Sequence, residues 1–368
     1  MADPIALAIP AFFVAIGAEL AVARWRGRRV YRLNDAVTDL SCGVTSQLAN
    51  IFVAASLLAV YERVYASYRL VTWNHAPLWV PWAIAFFGVD FLYYWWHRLS
   101  HEVNVLWAAH VVHHQSEDYN LAVALRQAVV THFTTLPFYL PLALLGVPTF
   151  TYALMVAIST LYQFWIHTEL VGVVRGPLGY VLNLPSHHRV HHARDAKYLD
   201  KNYAAILIVW DRLFGTFVEE EETPHYGLTK PLASFSPLWA QVHYWVELGE
   251  RMWRLPRWRD KLLLPLRSPA WRDASEEKVA PPARKFDVAV STGTQVYVGL
   301  QYAALLVAAF FLLFYKLEAS ARVLTLGSLA VLFGVVSAGA LLEDKRWAWP
   351  LEGARIAATA GLVWLIVR

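Results

Sequence analysis

The chain has 368 residues, 57% of them hydrophobic, and a mean hydropathy of +0.37, which excludes an ordinary soluble domain and points to a membrane protein. Lysine and arginine number 32 against 28 acidic residues; the resulting +4 suits a basic cytoplasmic face and gives no footing for a nucleic-acid role. The single cysteine, Cys42, has no internal disulfide partner and an apolar setting that argues against haem-thiolate ligation, so any metal site falls to the 14 histidines.

Apolar runs of roughly 17 to 25 residues, enough to span a bilayer, lie at 4–23, 40–60, 78–97, 128–146, 148–168, 294–315, 321–342 and 347–367. They predict an all-α, multi-span membrane bundle with eight crossings. The first run lacks a basic n-region. Ala21-Val22-Ala23 looks like a signal-peptidase site, but Arg24, Arg26, Arg28, Arg29 and Arg32 follow, so an uncleaved anchor with a cytoplasmic C-terminal end is expected over 1–35. Alternation from that anchor puts His97 and His167 at the cytoplasmic ends of the third and fifth spans, with the polar stretch 170–293 as a helical cap beneath them. Tyr93, Tyr94, Trp95, Trp96, Trp165 and Trp210 fall where rings meet headgroups, although packing is the ordinary role of each. The histidine-bearing core and cap then occupy 36–264, the proline- and charge-rich stretch 265–293 reads as a linker, and 294–368 holds histidine-free membrane helices.

The histidine spacing carries the chemistry. On a helix His97 and His101 lie four residues apart on one face, as do His110 and His114 with His113 adjacent; His188 and His192 repeat the pattern around His191. One tetrahedral site needs only about four protein ligands, so nine candidates, counting His167, imply two metals in a histidine-rich cage. His187 precedes the last pattern and is either a further ligand or a packing residue; the isolated His75 and His243 read as packing. Imidazole suits iron, zinc, copper or nickel over magnesium or calcium, and ligand type does not choose among them.

His97-Arg-Leu-Ser-His101, His110-Val-Val-His113-His114 and His188-Arg-Val-His191-His192 follow in the order HxxxH, HxxHH, HxxHH. In this the chain resembles the integral-membrane fatty acid hydroxylase and sterol desaturase superfamily. Within it, "DFLYYWWHRLSHEVNVLWAAHVVHHQSEDYNLAVALRQ", "QFWIHTEL" and "PSHHRVHHARDAKYLDKNYAAILIVWDRLFGTF" look most like the alkylglycerol monooxygenases, closely over 88–218 and more weakly over 35–87. The resemblance implies two iron ions, O2 as co-substrate, a membrane lipid as substrate, and oxidation of the ether-adjacent carbon of an alkylglycerol with tetrahydrobiopterin as reductant. It leaves open a sterol, fatty-acyl or carotenoid hydroxylase or desaturase served by another electron donor.

The residues themselves are compatible with this chemistry. Acid–base groups alone cannot take hydrogen from an unactivated alkyl carbon, and no flavin-type glycine fingerprint is present. Ligating imidazoles need their other nitrogen held, and Asp90, Glu102, Glu117, Asp118, Asn120 and Glu169 are near enough in sequence to be candidates. Asp90 precedes His97 by two helical turns, where an intramembrane carboxylate needs a partner. Glu102, following His101, is a candidate contact for the pterin or an exposed or histidine-orienting carboxylate; Asn202, Tyr203, Trp210 and Asp211 match the downstream string but read as capping and packing. Two other classes compete. A haem-binding cytochrome would set axial pairs inside the bilayer, and a metal transporter would line a midplane path with polar groups. Here the ligands crowd one side.

Overall fold

The computed structural model describes residues 4–273 and 284–367; the middle of the expected linker, 274–283, lies outside the described residues. Fourteen α-helices follow in chain order among the described residues: α1 (Pro4–Trp25), α2 (Leu33–Tyr68), α3 (Trp79–Glu102), α4 (Asn104–His110), α5 (Thr131–Leu144), α6 (Thr149–Trp165), α7 (Pro177–Val181), α8 (Pro185–His191), α9 (Val209–Leu213), α10 (Pro237–Arg254), α11 (Trp258–Leu263), α12 (Thr292–Phe314), α13 (Ala321–Leu342) and α14 (Ala348–Val367). No strand forms among those residues; two isolated bridges, Leu182 with Leu207 and Ala193 with Tyr226, pin loops together.

Among the described residues four helices, not the expected eight, are long and apolar enough to cross a membrane: α1, α2, α12 and α13. The difference is one of length and polarity. Helices α5 and α6 have 14 and 17 residues, short of the ~20 that a bilayer core requires, while α3 carries Asp90, Arg98 and Glu102. Helices α3, α5 and α6 nevertheless run side by side. Their far ends meet where Leu70 N–H donates to the Leu144 carbonyl at 2.7 Å and Trp73 Nε1–H to that of Leu145 at 3.1 Å.

Helix α2 contains the expected span 40–60 and extends beyond it at both ends. It has 36 residues, ~54 Å at 1.5 Å per residue, nearly twice a bilayer core. Its start buries Asn34, Asp35, Thr38, Asp39, Ser41, Thr45 and Ser46, whereas Phe52, Leu58 and Val60 further on are exposed. A cap-embedded third is thus joined without a break to a membrane-facing remainder. Gly43 sits at the crossing: a Cβ there would lie 2.2 Å from the Leu125 carbonyl oxygen, so only glycine lets the cap backbone approach.

Six helices close a ring in the order α1, α6, α3, α5, α2, α12 and back to α1. The N-terminal helix is therefore a wall as well as an anchor. Glu19 fastens it, accepting from Leu121 N–H at 2.9 Å and from the hydroxyls of Tyr31 and Thr168, which offsets the cost of a carboxylate in an apolar helix. Helices α13 and α14 complete the C-terminal bundle behind α12, around an Arg355–Glu352 pair at 2.6 Å. Both described flanks of the linker are docked on the cap: Asn104 Nδ2–H donates to the Leu264 carbonyl at 2.8 Å, and Phe286 N–H to Glu117 Oε2 at 2.6 Å.

Candidate metal centre

The nine clustered histidines come together as two groups, His97, His101, His110, His114 and His191 in one and His113, His167, His188 and His192 in the other. Within each group one ring nitrogen per residue lies within 4.8 Å of all the others. Each HxxHH motif is divided. His110 and His114 serve the first group while His113 serves the second; His188 and His192 serve the second while His191 serves the first. At α8 the cause is helical geometry: His188 and His192 share a face while His191 projects about 100° from His192; in the other motif the tight turn Val111–His114 sends His113 and His114 to different groups. A motif that looks like one ligand set in sequence bridges two sites in space.

The rings are oriented by backbone carbonyls. Nδ1–H of His97 donates to Tyr203 O at 2.7 Å, that of His113 to Arg126 O at 3.0 Å, that of His167 to Gln163 O at 2.7 Å and that of His191 to Lys201 O at 3.0 Å. A carbonyl only accepts, so these rings keep their proton on Nδ1 and turn a bare Nε2 inward. His113 and His167 then face one another Nε2 to Nε2 at 3.2 Å. Two lone pairs so placed repel unless a cation stands between them. Burial holds His113 down at about 4, so near neutrality it offers a neutral ring whose Nε2 lone pair suits a metal ion. In the first group His110 Nε2 lies 2.9 Å from His97 Nε2 and 3.0 Å from His114 Nε2, and the buried Nε2 atoms of His101 and His191, like that of His192 in the second, have no hydrogen-bond partner among the described residues. Burial, reinforced by neighbouring imidazoles, also holds His110, His114, His188 and His192 well below the ordinary histidine value, as neutral ligands must be. The donor set fits two borderline transition metals, iron included.

Behind the rings lies a layer to which sequence reading gave no ring-holding role. The buried Arg126 guanidinium donates to Val112 O at 2.7 Å and to Asp39 Oδ1 at 3.0 Å, fixing the turn that carries His113 and His114. Asp211 accepts from Tyr203 N–H at 2.8 Å, Ala204 N–H at 2.9 Å and the Thr216 hydroxyl at 2.7 Å, so it sets the carbonyl that His97 uses. Asn202 takes a left-handed backbone, φ 56°, which asparagine adopts more readily than most residues. Its side-chain amide spans His187 O at 3.0 Å and Val218 O at 2.8 Å. Sequence reading assigned Asn202 and Asp211 to capping and packing; they brace the loop whose carbonyls hold two rings.

The residues expected to hold the imidazoles do other work. Asp90 accepts from Ile206 N–H at 2.8 Å, Leu207 N–H at 3.1 Å and Trp210 Nε1–H at 2.8 Å, tying the 206–210 loop to α3. Glu117 holds Phe286 N–H, and Asp118 pairs with Arg32 at 2.9 Å and Lys285 at 2.6 Å, so both face the linker flank. Asn120 donates to Val30 O at 2.7 Å, and Glu169 pairs with Arg28 at 2.6 Å. Glu102 accepts from Arg98 Nε–H at 2.9 Å, with its side chain 42% exposed. His187 lies outside both groups and accepts from Leu184 N–H through Nδ1 at 3.2 Å, closing the start of α8. Adjacency in sequence put these groups near the histidines but did not aim them.

A cavity of about 230 Å³ fills the six-helix ring and reaches His110, His113 and His167, so it meets both groups at their seam. Helical stripes form its walls: Val156, Thr160 and Gln163 on α6, followed by His167 just past its end, and Leu306, Ala309, Phe310 and Leu313 on α12.

Comparison with known proteins agrees with this architecture. A family model described as fatty acid hydroxylase matches residues 82–216. The chain is similar to the alkylglycerol monooxygenase of Homo sapiens, 44% identical over 262 residues, covering 71% of this chain and 58% of that protein. Its likeness to the Xenopus tropicalis protein of that name is 43% over 261 residues, covering 71% and 58%, and to the Danio rerio one 40% over 329 residues, covering 87% and 73%. The chain thus spans just under three fifths of the length of the human and frog relatives, 58% in each case. No solved structure matches it. Its histidine motifs and its extended likeness to the Danio rerio protein establish that the chain belongs to the fatty acid hydroxylase family, in the group of the alkylglycerol monooxygenases.

Proposed function

We propose that this protein is an O2-dependent membrane lipid hydroxylase, with two irons held by the nine histidines, acting on the ether-adjacent carbon of alkylglycerols at the expense of a reduced pterin. The observation that carries the reading is the junction of two all-imidazole groups with a cavity inside a ring of membrane helices. Two irons, when bound, supply the redox capacity to activate O2 against an alkyl C–H bond. The protein's part is placement. His110, His113 and His167 face the cavity, so a chain lying in it presents one carbon to the seam between the groups, and the surrounding helices exclude water from the reacting carbon.

The reaction balances as insertion of one oxygen of O2 into the C–H bond beside the ether oxygen. The other oxygen leaves as water, with two electrons from the pterin and two protons. The hemiacetal then breaks its carbon–oxygen bond to release a fatty aldehyde and glycerol. Of the acidic residues picked out in sequence near the first motif, Glu102 is the exposed one, and we assign it to the pterin approach on the outer face beside His101. The arginines after α1 support a cytoplasmic position for that face.

The test is an assay of purified protein with O2, a tetrahydropterin and an alkylglycerol. Fatty aldehyde should form, and Glu102→Gln should raise the KM for pterin while iron content stays the same. Oxidation of acyl lipids or sterols only, or equal turnover with a ferredoxin and no pterin, would replace the substrate or donor assignment. Bound iron with no lipid oxidised by any donor would remove the hydroxylase reading.

A further inference from the structure

The cavity is two-faced. One half of the ring, α6, α1 and α12, presents Val156, Phe164, Ile9, Phe12, Leu306 and Phe310. The other half, the consecutive helices α3, α5 and α2, adds the polar Tyr93, His132 and Gln47 among the apolar Leu40, Val44, Trp96 and Tyr139. These three polar side chains have no hydrogen-bond partner among the described residues. Other polar residues facing the cavity are spent: Thr135 donates to His132 O at 3.2 Å, Thr160 to Val156 O at 3.0 Å and Gln163 to Ser159 O at 3.2 Å. An unpaired polar group enclosed among membrane helices is costly, and the cost is offset when an occupant supplies the missing partner.

Depth along the helices locates these groups. Tyr93 lies one helical turn before His97 on α3. His132 is in the first turn of α5, whose neighbour Thr131 donates to Ala109 O, the residue before His110, at 3.3 Å. Gln47 follows Ser46, which donates to Ala128 O at 3.2 Å on the cap edge. All three stand at the histidine end of the cavity, opposite the apolar half. The occupant that matches is an amphipathic molecule whose polar and apolar parts diverge from a point beside the histidines.

Resting on the alkylglycerol reading above, we propose that Gln47, His132 and Tyr93 receive the free hydroxyls of the glycerol head, while the alkyl chain lies along α6, α1 and α12. The carbon joining the two parts then falls at the seam of the histidine groups, so the polar half selects the oxidised position and the apolar half selects chain length. Terminal helices that lie outside the residues matched to the family model, α1 and α12, are thereby specificity elements.

The test uses two substrates of equal chain length, an alkylglycerol and its analogue with both free hydroxyls methylated, on full-length iron-loaded enzyme. Wild type should prefer the free diol. Gln47→Leu and His132→Phe should each lower the kcat/KM ratio between diol and dimethyl ether by about tenfold, the worth of one buried hydrogen bond, and His132→Gln should restore part of it. Phe310→Ala should shift the preferred chain length and leave the ratio in place. Iron content and melting temperature report folding, and Gln47→Met carries the same test if Gln47→Leu does not fold. An unchanged ratio in folded, iron-loaded variants overturns the head-binding assignment alone. A wild type that oxidises lipids but no ether of either kind overturns this assignment together with the reading it rests on.

Discussion

The two histidine groups differ in number and in support. The first has five rings, two of them, His97 and His101, on the long helix α3; the second has four, drawn from the end of α6, a tight turn and the seven-residue α8. A long helix holds its side chains by its own hydrogen-bond ladder. Short elements need outside bracing, and the second group has it: Arg126 with Asp39 behind His113, and Arg189 with Glu220 beside His188. The first site adds two rings on a long helix to rings on the short, braced elements that both sites use, so the two should fail differently.

Ligand removal has the largest expected effect and tests the asymmetry directly. His167→Ala leaves three rings in the second group and His101→Ala leaves four in the first. Both should cut turnover below about one thousandth of wild type. Iron per chain should fall from about two to about one in His167→Ala and remain nearer two in His101→Ala, by the roughly four ligands that a closed site requires. Equal loss of iron from both variants would show the groups to be equivalent.

Next comes the bracing. Asp39→Ala strands the fully buried Arg126 charge, a change that typically costs 3 to about 5 kcal/mol. The double variant Asp39→Leu with Arg126→Met should recover most of the melting temperature yet still lose iron, because His113 no longer meets a fixed carbonyl. Recovery of both stability and iron would mean that the pair serves the fold alone. On the first group, Asp211→Ala should weaken iron binding about 10- to 100-fold by freeing the Tyr203 carbonyl, a smaller loss than removing a ring. Metal titration of the depleted protein reads it, and an unchanged affinity would detach Asp211 from the site.

The smallest effect is the pH dependence of the metal-free chain. His113 is held down at about 4 and His191 at about 3 by burial, while an unfolded imidazole takes its proton near 6.5. The unfolded state therefore binds more protons below 6.5, and stability that is fully present above that value is lost as pH falls toward 4 and then 3. Melting temperature should decline between pH 6.5 and 4 and stay level from 7 to 8. Added metal should blunt the decline by competing with protons. A flat profile without metal would mean that the rings are solvated.

Much of this protein was legible before its tertiary structure. The all-helical membrane class follows from composition, because lipid tolerates backbone only when its hydrogen bonds are satisfied internally. The HxxxH and HxxHH spacings bring rings onto shared helix faces and so mark eight of the nine converging histidines, His167 standing outside any such pattern. Span counting was less secure: apolarity is visible in a run of letters, but α5 stops at 14 residues and α2 continues through the cap to 36.

Everything that depends on direction between elements waited for the fold. Asp90, Glu117, Asp118 and Asn120 stood close in sequence to the motifs, yet their partners are the 206–210 loop, the linker flank and Val30. The groups that do hold the rings are carbonyls of Arg126, Gln163, Lys201 and Tyr203, a chemistry every residue possesses and no letter marks. The division of each HxxHH between two sites, and the closing of a cavity by α1 and α12 from opposite ends of the chain, are likewise long-range facts. Sequence by itself determines helix faces and their polarity, since these repeat within a few residues; only the tertiary structure decides which faces meet, because that balance is struck among segments hundreds of residues apart.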